Sequence, residues 1–226
     1  MRLFPAVPLL AALLLGSTAC GSGDTEGAGT GDRTRKACED LLGSAGEKWV
    51  KENSPRDTGL VDVRDVESAK TDFYGDVRSW NPSSKALPSF TEFELCRVVV
   101  RGQERHTSRL SISFGASTFP FDSPFGEKSD VYDEEKLIRV NADVKLVVRK
   151  DDGTYDYSVY VKCRVPGAPA GQEAGVPLAG SMTGTLTRAA GPEPHLRYLL
   201  HSARVAAEEF GCRNHPVVPA SPPAAG

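Results

Sequence analysis

The chain is predicted to fold as an α+β domain. A twisted antiparallel sheet of five to seven strands carries an N-terminal and a C-terminal helix packed on one face, held by two disulfides. Three observations lead there: a strongly alternating hairpin near the middle, shorter apolar alternations on either side of it, and an amphipathic helical stripe at each end.

The first helix is "CEDLLGSAGEKWV" (38–50), which sets Cys38, Leu42, Ala45 and Trp49 on one stripe, with Gly43 and Gly46 weakening it. A short strand candidate covers 60–66. "FELCRVVV" (93–100) and "RLSISF" (109–114) then form a strand pair, the second with Leu110, Ile112 and Phe114 on one side. The central hairpin is "IRVNADVKLVVRKDDGTYDYSVYVKCRV" (138–165). Its first arm is apolar at even positions from Ile138 to Val148, and its second at odd positions from Tyr155 to Val165. Asp152-Gly153 is a two-residue turn signal, because both positions accept positive φ. That turn sets Val148 opposite Tyr157, Leu146 opposite Val159, Val144 opposite Val161 and Ala142 opposite Cys163. On the other face it brings Asp143 to Lys162 and Arg149 to Asp156, each pair opposite in charge. An exposed Pro- and Gly-rich loop is expected over 166–180, and a short strand over 182–187. The last helix, "HLRYLLHSARVAAEEFGC" (195–212), aligns Leu196, Leu199, Ala203, Ala206 and Phe210, with Gly211 as its C-cap.

Composition bounds the function. The 226 residues suit one domain, and 39% hydrophobic with 25% charged residues describe a globular chain. Against 30 Asp and Glu there are 27 Lys and Arg, a net charge of -3, so there is no basic surplus for a nucleic-acid partner. No H-E-x-x-H, G-x-S-x-G, S-x-x-K or P-loop pattern occurs, and no catalytic, metal or cofactor residue is assigned. His106, His195, His201 and His215 are scattered and are read as solvated surface residues.

Residues 1–19, "MRLFPAVPLLAALLLGSTA", carry one positive charge, an apolar run interrupted by Pro5 and Pro8, and then small residues. The run is too short to span a bilayer and reads as an export signal. Gly16, Ser17, Thr18 and Ala19 lead directly into Cys20, and this junction resembles the lipobox of bacterial lipoproteins. Ser17 stands where that family most often has leucine. The resemblance implies a diacylglyceryl group on Cys20, removal of residues 1–19, and a membrane partner reached through the lipid, with the protein outside the cell membrane. Residues 20–36 contain no large apolar side chain and form a flexible tether. The domain spans 37–213, and 214–226 is a disordered Pro-rich tail. An Arg-, Ala-, Gly- and Pro-rich composition resembles exported lipoproteins of high-GC Gram-positive bacteria.

Setting Cys20 aside leaves Cys38, Cys96, Cys163 and Cys212, an even number bound for an oxidising compartment. Two of them lie on helices and two on strands. The preferred pairing is Cys38 with Cys96 and Cys163 with Cys212, each contributing about 4 kcal/mol in the chain-entropy account. The alternative joins Cys38 to Cys163 and Cys96 to Cys212. The candidate recognition loop is "FPFDSPFGEKSDVYDEE" (119–135), with Phe119, Phe121, Asp122 and Phe125 as its contact residues. A connection whose phenylalanines cover the sheet while its acids face water is the plainer reading of it. Three functions follow in order of preference: a lipid-anchored binding or interaction module, a structural envelope protein, and a hydrolase with no recognised motif.

Overall fold

A computed structural model describes residues 30–54, 56–84, 86–102, 108–123, 134–188 and 191–224. Cys20 with the whole of 1–29, His106 and Phe125 lie outside the described residues.

Seven strands form one antiparallel sheet: β1 (Thr58–Asp62), β2 (Glu92–Val100), β3 (Arg109–Ala116), β4 (Glu134–Arg139), β5 (Val144–Asp151), β6 (Thr154–Val161) and β7 (Leu178–Gly184). Their order is β1-β2-β3-β7-β6-β5-β4, so β7 is inserted between the two hairpin groups. The helices are α1 (Thr30–Asn53), α2 (Val66–Ser79), the single turn α3 (Gln172–Gly175) and α4 (Glu193–Glu209). Buried residues of α1, α2 and α4 join one cluster with one sheet face, including Leu42, Phe73, Leu199, Ile112, Leu146 and Met182. The expected class, with both terminal helices on one face, is the class found.

The central hairpin takes the expected register. Val148 faces Tyr157, Leu146 faces Val159 and Val144 faces Val161. Asp152 and Gly153 turn the chain at φ 45 and 75. The first arm, however, is not one strand. The Asn141 Oδ1 accepts from the backbone N–H of Asp143 at 2.8 Å and of Val144 at 2.9 Å, and this turn ends β4 before β5 begins. Alternation continues through the turn, which is why the two strands read as one.

Three further differences have local causes. In α1, Gly43 leaves the helical region (φ 63, ψ 165), so the buried stripe jumps to Gly46, Trp49 and Val50, and Ala45 is exposed. The segment 63–66 is not strand: Asp65 caps α2, its carboxylate accepting from Ser68 N at 2.8 Å, and Ala69, Phe73 and Val77 are buried beneath. The stretch 166–180 is not an exposed loop. Gln172, wholly buried, accepts from Val165 N at 3.0 Å and donates to the carbonyls of Cys163 at 3.0 Å and Val176 at 2.9 Å, and β7 starts at Leu178.

The disulfides are Cys38–Cys96 and Cys163–Cys212. A bulge in β2 between Glu94 and Cys96 lets Leu95 and Cys96 both face the helical layer, which aims Cys96 at α1. Among the described residues beyond α4 there is no further helix or strand, but the chain does not leave the domain at once. Asn214 Oδ1 accepts from Arg164 N at 2.7 Å, Asn214 Nδ2 donates to Lys162 O at 2.7 Å, and Val218 is buried.

Candidate functional site

The face of the sheet turned away from α1, α2 and α4 is polar across most of its width. Alternation and register lay it out in rows. One row reads Glu94, Ser113, Ser181, Ser158, Val147, Leu137 from β2 to β4; the next reads Arg97, Ser111, Thr183, Asp156, Arg149, Glu135. A third runs Glu92, Gly115, Ala179, Tyr160, Lys145, Arg139. Small side chains therefore occupy the middle strands, and charged ones stand on both flanks.

The candidate loop meets this face at its start. Phe121 is buried against Val147, Tyr160 and Ala179, with Leu137 at the margin. Two lysines lie over its ring, Lys145 Nζ at 4.3 Å and Lys162 Nζ at 4.7 Å from the centroid. Lys145, itself buried, also donates to the Phe121 carbonyl and pairs with Asp122 at 3.4 Å. Phe121 N bonds Ala174 O at 2.7 Å. Phe121 and Asp122 thus anchor the loop rather than offer it, whereas Phe119 is 40% exposed. Sequence reasoning had no signal for Lys145, since a lysine in an alternating strand reads as solvent-facing.

Charges on this face are handled in pairs. Glu94 takes both Arg97 Nε and Nη2; burial works against its carboxylate, yet Arg97 holds the pKa below the ordinary range. Arg149 donates to Glu135 at 2.6 Å and to Tyr160. Burial raises the pKa of Glu92, against the hydrogen bond from Ser181 Oγ at 2.7 Å and the charge of Arg149. Burial likewise raises Asp156. These carboxyl groups lie several strands apart, Glu92 on β2 and Asp156 on β6, and among the described residues no serine, threonine or cysteine is bonded to a histidine-carboxylate pair. Nor is there, among those residues, a group of three or more His, Cys, Asp or Glu side chains placed to hold a metal.

Two histidines are not the surface residues expected. His195 is 6% exposed in the helical layer, stacked on Tyr157 (4.6 Å), edge-on to Trp49 (4.8 Å), with Nε2 2.7 Å from Thr187 Oγ1. Burial pushes its pKa down to about 4, against the Gly191 backbone. His201 is half-buried, and its Nε2 donates to the Asp40 carbonyl at 3.1 Å, a group freed by the break at Gly43. Ser202 Oγ donates to the next freed carbonyl, Leu41 O, at 2.7 Å. Arg204 donates to His201 Nδ1 at 3.0 Å, which places the ring proton on Nε2. His215 is exposed.

Among the described residues no helix is long and apolar enough to cross a membrane. No protein-family model, curated protein or solved structure matches this chain.

Proposed function

We propose that the protein is exported, carries a diacylglyceryl anchor on Cys20, and works as a binding module at the outer face of the cell membrane. The observation that supports this most is the cysteine accounting. All four cysteines of the folded part are joined in two disulfides, so the chain suits an oxidising compartment, and Cys20 is left over at the end of an apolar leader. Two acyl chains make such an anchor stable where one is marginal. The polar sheet face, with its small central residues and charged flanks, is the surface that a stapled scaffold of this kind presents.

Labelled fatty acid tests the anchor: the wild-type chain incorporates it and fractionates with membranes, and Cys20→Ser does neither. Incorporation by the Cys20→Ser protein would end the proposal. For the face, Ser113→Arg places a long cation at its centre while leaving both disulfides in place. A partner recovered with the detergent-extracted wild-type protein, and lost from the Ser113→Arg protein, supports the binding reading; equal recovery removes that face from it.

A further inference from the structure

The end of α4 and the chain leaving it border an open cavity of about 460 Å³, lined by Arg204, Glu208, Cys212, Arg213, His215 and neighbouring small residues. Its charged lining is mostly basic. The chain as a whole is acidic, yet this concavity gathers two guanidinium groups and a histidine against a single carboxylate. Among the described residues no carboxylate lies within ion-pair distance of Arg204 or Arg213, although ten other ion pairs are formed. Arg204 is also positioned: it spends one N–H on His201 Nδ1, and His201 is fixed in turn by the Asp40 carbonyl of α1. Its remaining donors are available to a ligand. The helix end itself does not help an anion, since the macrodipole is negative there. The last carbonyls, however, are engaged by Phe210 N, Gly211 N and Cys212 N.

The position of this cavity is informative. α1 and α4 run antiparallel: Trp49 lies beside His195 and Tyr198, while Asp40 and Leu41 accept from His201 and Ser202. Continuing along α4 past Ser202 to the cavity, about 14 Å at 1.5 Å per residue, goes the same way as following α1 back from Leu41 to Thr30, about 16 Å. The cavity and the entry point of α1 therefore share one end of the molecule. Nine residues lie between Cys20 and Thr30, a span of at most about 35 Å.

We infer that the Arg204–Arg213–His215 cavity is an anion site that takes the phosphate of an anionic membrane lipid, seating this end of the domain on the bilayer. The placement rests on the lipid-anchor proposal; the anion site does not. Guanidinium groups recognise phosphate oxygens by paired N–H donors, and a bilayer surface rich in such headgroups attracts nearby cations as well.

The test uses the chain from residue 20 onward, which contains every described residue, carrying Cys20→Ser so that acylation plays no part. Inorganic phosphate and glycerol phosphate are titrated by calorimetry, and flotation is measured with vesicles of phosphatidylcholine alone and of phosphatidylcholine with phosphatidylglycerol. The expected result is saturable phosphate binding and preferential flotation with the anionic vesicles, both weakened at least tenfold by Arg213→Gln and by Arg204→Gln. Lys48→Gln, an exposed cation of α1 elsewhere on the surface, leaves both unchanged. Arg213 is exposed, so its variant keeps the α1–α4 contacts intact. Absence of phosphate binding, or binding kept in both arginine variants, overturns the site. Phosphate binding without preference for anionic vesicles overturns the headgroup assignment. Both results stand whether or not Cys20 is acylated in the cell.

Discussion

Replacing His195 with phenylalanine removes a specific part of the acid sensitivity of this domain. The ring is buried between Tyr157 and Trp49, and its pKa falls from 6.5 to about 4 because protonation would put a charge where burial keeps water away. At about 1.4 kcal/mol per pH unit, keeping the ring neutral over this interval amounts to about 3 kcal/mol. The sign follows from proton counting. Between pH 6.5 and about 4 the unfolded chain carries a proton on this ring and the folded chain does not, so stability is complete above 6.5 and declines as pH falls, with the loss ending near 4. Carboxyl groups titrate in the same interval. Asp65, Glu94 and Glu173, with lowered pKa values, lose stability on acidification, and Asp76, Glu92 and Asp156, with raised values, gain it. All six are common to wild type and variant and cancel in the difference. Urea unfolding followed by circular dichroism at about pH 7 and about pH 4 then reads a loss about 3 kcal/mol greater in wild type than in His195→Phe, a difference of about 1.5 M in midpoint. The variant starts lower at neutral pH, because Thr187 Oγ1 loses its 2.7 Å partner. Equal losses in the two proteins across the interval would refute the argument, since the neutral ring would then not be the linked group.

Two further outcomes concern polar groups held inside the fold. Gln172→Ala leaves Val165 N–H and the Cys163 and Val176 carbonyls without their partner in a fully buried position, and it lowers stability by about 3 kcal/mol in the same unfolding assay. Arg149→Met removes the guanidinium from Glu135, whose side chain is 10% exposed, and costs about 2 kcal/mol or more, whereas the double variant Arg149→Met/Glu135→Leu recovers most of it. A double variant as unstable as the single one would mean that the guanidinium matters for some reason other than its carboxylate.

What the sequence revealed of the fold was whatever period and turn chemistry encode directly. Asp152-Gly153 and the alternation around it carried the hairpin register to the residue, and the stripe from Leu196 to Phe210 carried α4. The preferred disulfide pairing is the one found, joining neighbours in chain order, although Cys163 follows β6 and Cys212 follows α4 rather than lying on a strand and a helix. Two elements escaped because they are defined by single side chains rather than by periods. Asn141 ends β4 without interrupting the alternation, and Gln172 folds a Pro- and Gly-rich stretch inward by satisfying three backbone groups. α2 had a readable signal in the Asp65 cap followed by Ala69, Phe73 and Val77 at four-residue spacing. The buried His195 and the cavity at the end of α4 had none. Each depends on residues brought together across α1, α4 and the sheet, which one strand or one helix does not reveal on its own.

The break at Gly43 connects these features. An alanine Cβ at that position would lie 2.8 Å from His201 Nε2, and φ is +63 there, so a glycine is needed both for the turn and for the room. The break frees the carbonyls of Asp40 and Leu41, which would be costly to bury unpaired, and α4 supplies His201 and Ser202 to them. That pairing locks α1 and α4 in one antiparallel register, with Cys38 on α1 and Cys212 just past the end of α4. Each is joined to the sheet side of the domain, Cys38 to β2 and Cys212 to the residue run following β6. Under the lipid-anchor proposal, any pull from the membrane enters the domain through the start of α1. Cys38–Cys96 then holds the first helix to the sheet eighteen residues from Cys20, so the load is passed to the sheet before it reaches the contacts around Trp49 and His195.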